Sequence, residues 1–187
     1  MNWFAFGSGV GIEIGERHLQ VVAVSVRPKG SRVLGTLRID NYAGSPAAEW
    51  GAQYAAFTKR FGLAHVAATV LIPRRDVILR QLSMPGVTDK DLDSAVGFQL
   101  ETLHPYNEAD VITTWSRLRQ PSGKSPDVVV GITRRGVITQ LQTLFAEAGI
   151  KVAAYTFSAA TLYSSLRLYG TPEVGFLASI RKEDADV

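Results

Sequence analysis

The segment Gly9–Val26 constrains this chain more than any other. Two runs rich in β-branched residues, Val10–Ile14 and Leu19–Val26, flank a four-residue polar tip, Gly15-Glu16-Arg17-His18. That pattern is a strand, a tight turn and a second strand. Gly15 opens the turn, at a position that calls for positive φ or for the close approach of another group. A third alternating run, Arg32–Tyr42, follows the Pro28-Lys29-Gly30-Ser31 turn, so the chain opens as a three-stranded meander.

At 187 residues, 46% of them hydrophobic and 20% charged, the chain is long enough for one large domain or two small ones with a real core. It has no cysteine, which removes disulfides and thiolate metal sites. His18, His65 and His104 are scattered without metal-ligand spacing. No apolar run approaches the roughly 18 residues that a membrane helix needs, and Met1–Gly7 lacks the basic region of a signal peptide. The expectation is a cytoplasmic protein, with Phe4 and Phe6 packed back on the domain. The net charge is +3, with arginines gathered at Arg74-Arg75-Arg80, Arg117-Arg119 and Arg134-Arg135. Such clusters can meet phosphate or anionic lipid, although a solvated face is the simpler reading. No basic helix or interleaving of basic and aromatic residues points to nucleic acid.

Along the chain, Ser45-Pro46 starts a helix over Ala47–Phe61, with Trp50, Tyr54, Phe57 and Phe61 at helical spacing and Gly62 as its stop. An aromatic stripe of this kind is core before it is a cofactor box. Val66–Ile72 reads as a buried strand stopped by Pro73, and Asp76–Met84 as another, closed by Pro85-Gly86. Thr88 and Asp91 resemble a capping box for a helix running to Leu103, with Leu92, Val96, Leu100 and Leu103 on one face. Then come a strand over Val111–Arg119, a strand over Asp127–Thr133 and a helix over Arg135–Ala148 ended by Gly149. A strand over Lys151–Phe157, a helix over Ser158–Tyr169 and a further strand over Glu173–Ile180 complete the reading. Gly123-Lys124-Ser125 mimics the end of a phosphate-binding loop. However, the earlier glycine that this motif requires falls on Leu118, and the loop joins two strands rather than a strand and a helix. It reads as a polar hairpin loop.

Several of these segments carry a family resemblance. "VGIEIGERHLQVVAV" resembles the first phosphate-loop hairpin of the actin-like ATPase superfamily. "VLIPRRDVILRQLSMPG", "LDSAVGFQLETLHPYNEADVITTWSRL" and "LFAEAGIKVAAYTFSAATLYSSL" resemble, in order, segments of PilM-like type IV pilus assembly proteins. FtsA and the cytoplasmic part of GspL are more distantly similar. The resemblance implies an α/β fold: an actin-like (ribonuclease H-like) first subdomain, residues 1–73 plus 151–187, with a small α/β subdomain inserted at 74–150. It covers about half of the family architecture, since the second phosphate loop of the family has no counterpart in Gly175–Arg181. That implies either a piece of a longer protein, the favoured reading, or a reduced member of the family.

For function, the resemblance implies a scaffold peripheral to the inner membrane. Such proteins hold the N-terminal cytoplasmic peptide of a PilN-type membrane protein, alongside other pilus platform proteins. Its groove would lie between the two subdomains, and Val77, Leu79, Leu82, Leu92, Val96 and Leu100 are the candidate lining. The alternative is an actin-like ATPase, with ATP and Mg²⁺ bound in the full-length protein at Glu13, Gly15, Glu16, Arg17 and His18. Here Glu13 stands where the family has Asp, and Glu16-Arg17-His18 replaces its small hydroxyl residues. A carboxylate at Glu16 repels phosphate where Ser or Thr would donate hydrogen bonds, so the expectation is no catalytic residue, no metal site and no hydrolysis by this chain alone. A GspL-like part in type II secretion is the remaining variant. An FtsA-like filament would need a C-terminal amphipathic anchor, which this sequence does not show.

Overall fold

The structure, a computed structural model, describes residues 7–118 and 126–169 and two short strands near the end. Strands β1 (Gly7–Ile14), β2 (His18–Arg27) and β3 (Gly30–Asp40) form the expected meander. Its register runs from Gly7↔Val26 to Ile14↔Leu19 in the first hairpin, with a bulge at Ala23/Val24 in the second. Helix α1 (Ala47–Arg60) then returns the chain so that β4 (Ala68–Ile72) lies parallel to β1, with Ile12 opposite Val70. A helical crossover is what makes a parallel neighbour possible. Later in the chain, β8 (Val152–Phe157) adds to β4, again in parallel, giving the order β3-β2-β1-β4-β8.

Alternation assigns one face of this sheet to the core. Val10, Ile12, Ile14, Leu19, Val21, Ala23, Ala68 and Val70 are buried on it. Against them α1 sets Trp50 and Tyr54, with Phe57 and Phe61 partly buried beside them. Thr58, buried on the same helix, satisfies its hydroxyl by donating to the Tyr54 carbonyl at 3.1 Å. Gly62, at φ +70°, terminates α1 as the sequence suggested.

The smaller unit is a three-stranded antiparallel sheet of β5 (Val77–Ser83), β6 (Val111–Arg117) and β7 (Asp127–Arg134), with β7 in the centre. Helix α2 (Leu92–Leu103) lays Leu92 and Val96 against Met84, Val128, Val130 and Ile132, with Ile78, Leu82, Leu100 and Trp115 at the margin. The helix starts later than expected because Thr88 does not cap it. Its hydroxyl donates to the Asp91 carboxylate at 2.6 Å, and Thr88–Asp91 becomes a separate turn before the helix. The Trp115 indole donates to Asp93 at 3.0 Å and Arg117 pairs with Asp89, which ties β6 to this N-terminal end of α2.

The chain divides into two compact units: Arg75–Gln140, and the segments up to Arg74 and from Leu141 onward. The boundary expected from the sequence lay at residue 151. Helix α3 (Arg135–Glu147) is one unbroken element, yet Leu141, Leu144 and Phe145 already belong to the core of the larger sheet, followed by Ala148 and Ile150. Trp50 meets Phe145 edge-on at 6.0 Å, and the Ala148 carbonyl oxygen sits where a Cβ on Gly51 would be. After β8 comes α4 (Ser158–Tyr169), and Ser179–Ile180 (β9) pairs with Ala185–Asp186 (β10). Phe4, Phe6, the Gly123-Lys124-Ser125 loop and most of the run at 173–180 lie outside the described residues.

Candidate functional site

Two sets of residues were singled out by the sequence, and the structure treats them differently. The first set is gathered at one place. Glu13, one residue before the end of β1, lies opposite Gln20, on the sheet face away from the core and half-buried, while Glu16 and Arg17 are exposed at the tip and His18 opens β2. Gly15 is not at positive φ. Glycine suits the position for the other reason, close approach: a Cβ would lie 2.9 Å from the His18 Cε1 and 3.1 Å from the His18 carbonyl oxygen, so the His18 ring and the turn would have to shift to admit one.

The tip is locked into the larger unit through its backbone. The Gly15 amide donates to the His18 carbonyl at 2.9 Å, and the Asn41 amide donates to the Arg17 carbonyl at 2.6 Å. The Tyr42 hydroxyl donates to the Gly15 carbonyl at 3.3 Å, and its ring meets Trp50 edge-on at 6.3 Å. Asn41 itself is held in the left-handed region at φ 53°, a conformation that Asn tolerates better than most residues. Neither Asn41 nor Tyr42 stood out in the sequence as part of this site. Their only signal was their place at the end of the third strand, beside the tip.

What this tip can do chemically follows from its groups. A phosphate cradle needs several outward N–H or O–H donors. Here the Gly15 amide is spent inside the turn, no hydroxyl side chain stands at 15–18, and the exposed Glu16 carboxylate brings like charge. Among the described residues no cluster of three or more His, Asp or Glu could hold a metal ion. The residues present fit neither a triphosphate nor its Mg²⁺ well.

The second set, the candidate peptide lining, is split between the two faces of the small sheet. Leu82, Leu92, Val96 and Leu100 all belong to the core that α2 makes with the sheet, and Leu92 and Val96 retain only 3% and 2% exposure. Leu92 and Val96 hold the unit together, while Leu82 and Leu100 pack at its margin and stay partly exposed. Val77 and Leu79 alternate with Ile78 and so stand on the other face, Val77 buried and Leu79 half-buried. The arginine clusters also have internal partners. Asp76 lies 3.9 Å from Arg75 and 4.0 Å from Arg134, and Arg135 donates to the Ala109 and Val111 carbonyls at 3.1 Å.

No family model and no curated protein matches the sequence. Solved structures do match the fold. A chain of a PilM–PilN type IV pilus biogenesis complex aligns at TM-score 0.63 and 21% identity over 85% of this chain and 50% of its own. The cytoplasmic domain of EpsL, an inner-membrane component of the type II secretion system of Vibrio cholerae, aligns at TM-score 0.54 and 15% identity over 80% of this chain and 57% of its own. A Bacteroides thetaiotaomicron protein with an actin-like ATPase fold aligns at TM-score 0.40, too loosely to argue from. The chain spans about half the length of these structures. Over that span it has a PilM-like, actin-like fold, with a ribonuclease H-like strand order in its larger sheet.

Proposed function

We propose that this chain is a cytoplasmic scaffold, peripheral to the inner membrane, in the platform of a type IV pilus machine. Its partner is the N-terminal cytoplasmic peptide of a PilN-type membrane protein, and other platform proteins assemble around the pair. The observation that carries this reading is the match to a chain of a PilM–PilN complex over most of this chain. It agrees with the absence, among the described residues, of any helix long and apolar enough to cross a membrane.

An extended peptide docks by pairing with an exposed strand edge and placing alternate side chains on the adjoining face. β5 is an edge strand, and Leu79 is the candidate on it that keeps accessible apolar surface outside the α2 core. Val77 extends the same face. A nucleotide-driven role is the weaker reading, because the β1–β2 tip presents a carboxylate where phosphate would sit. A type II secretion role as a GspL-like protein is favoured only by the looser match to EpsL.

Calorimetric titration of the chain with a PilN-type N-terminal peptide, with and without Mg-ATP, tests the proposal. Saturable binding in the absence of nucleotide is the expected result. Binding that appears only with Mg-ATP would overturn the scaffold reading in favour of the ATPase one.

A further inference from the structure

The outward face of α2 carries a feature that neither the fold nor the proposed peptide site uses. Phe98 is 86% exposed, the most exposed of the large apolar side chains described. It is placed there by helical geometry. Leu92, Val96, Leu100 and Leu103 take the inward stripe, and position 98 falls nearly opposite. Its neighbours at i−4, i−3 and i+4 are Ser94, Ala95 and Thr102, all small, so the ring stands clear of the helix surface. Glu101, one turn on, and Asp91, two turns back, are exposed along the same stripe. The surrounding segment, Thr88 to Asp110, holds six carboxylates against one lysine in a chain whose net charge is +3. It ends at Tyr106, itself 41% exposed and stacked on His104.

A bare aromatic ring between carboxylates has a definite chemical complement. A guanidinium stacks on the ring while its N–H groups reach the acids, and a neighbouring apolar side chain covers the rest of the ring. Three of the acids have local duties: Asp89 pairs with Arg117, Asp93 accepts from Trp115 and Asp91 accepts from Thr88. Arg117 balances Asp89, which leaves five carboxylates of the segment against one lysine. We infer that the outer face of α2, centred on Phe98 with Asp91 and Glu101, docks an arginine-rich segment of a partner protein that carries at least one bulky apolar residue. The cytoplasmic flanks of membrane helices have this composition, since Lys and Arg accumulate there. The inference does not depend on the proposed PilN-type site, because it involves none of the same residues.

The test is an NMR titration of the isotope-labelled chain with a short synthetic peptide of Arg–Leu repeats, with a Glu–Leu peptide as control. Amide shifts should cluster at Asp91, Ser94, Phe98, Glu101 and Tyr106 for the basic peptide only. Phe98→Ala should weaken binding about tenfold with an unchanged melting temperature, since the ring is 86% exposed. Glu101→Gln should weaken it by less. Absence of binding, shifts that map to other surfaces, or equal affinity for Phe98→Ala would each overturn the inference.

Discussion

At the scale of single residues, two positions show how the core is fitted together. Gly51 lets α1 approach the end of α3 so closely that the Ala148 carbonyl occupies the space of a Cβ. Gly51→Ala must therefore push backbone rather than a flexible side chain, and should destabilise the protein by about 2 kcal/mol in urea unfolding. Nothing in the sequence marks Gly51, since a glycine inside a helical pattern carries no sign of which neighbour approaches it. Tyr54 shows the opposite situation. Its ring is buried in the core, but its hydroxyl has no hydrogen-bond partner among the described residues, so Tyr54→Phe should be neutral or stabilising by up to about 1 kcal/mol near neutral pH. Burial also raises the Tyr54 and Tyr155 pKa above the ordinary 10.0, because the phenolate would lose its hydration. The unfolded chain then releases these protons first as pH rises. Stability is intact below the ordinary value of 10.0 and falls above it. A melting-temperature series against pH should show that fall, shallower in Tyr54→Phe.

At the scale of elements, the periodic segments were legible and their roles were only half so. The stripe Leu92, Val96, Leu100 and Leu103 announced an amphipathic helix, and α2 buries that stripe. The same apolar residues cannot say whether they meet the helix's own sheet or a foreign peptide, because both demand the same side chains. The sheet register puts Ile78 and Leu82 on the α2 side and Leu79 on the other. The start of α2 was misread for a related reason: Thr88 and Asp91 satisfy each other rather than the helix end. The two cores share no residue, which gives a prediction at this scale. Leu92→Ala should cost about 3 kcal/mol. In native-state hydrogen exchange it should release amides of β5, β6 and β7 while those of β1, β2 and β4 keep their protection. Equal loss of protection in both sheets would show that the units unfold as one.

At the scale of the whole chain, the order of elements carried the architecture. A meander, a helix and a buried strand at the start, then a strand and helix near the end, suffice for a mixed sheet, since helical crossovers impose the parallel pairs β1–β4 and β4–β8. The point of return to the larger unit was not legible. It falls inside an unbroken helix, where neither composition nor a turn residue marks the change of neighbours from one unit to the other. The functional claim rests on the same scale, on a fold shared with a chain of a PilM–PilN complex over half of that chain's length. Leu79 connects the claim to one side chain: it is half-buried, lies on the edge strand β5 and stands outside both cores. The most direct measurement is the affinity of a PilN-type N-terminal peptide for the parent chain and for Leu79→Ala, with melting temperatures recorded for both. Binding by the parent and about tenfold weaker binding by the variant are expected, at nearly unchanged melting temperature. Equal affinity of the two, or no binding by the parent at millimolar peptide, would contradict the claim.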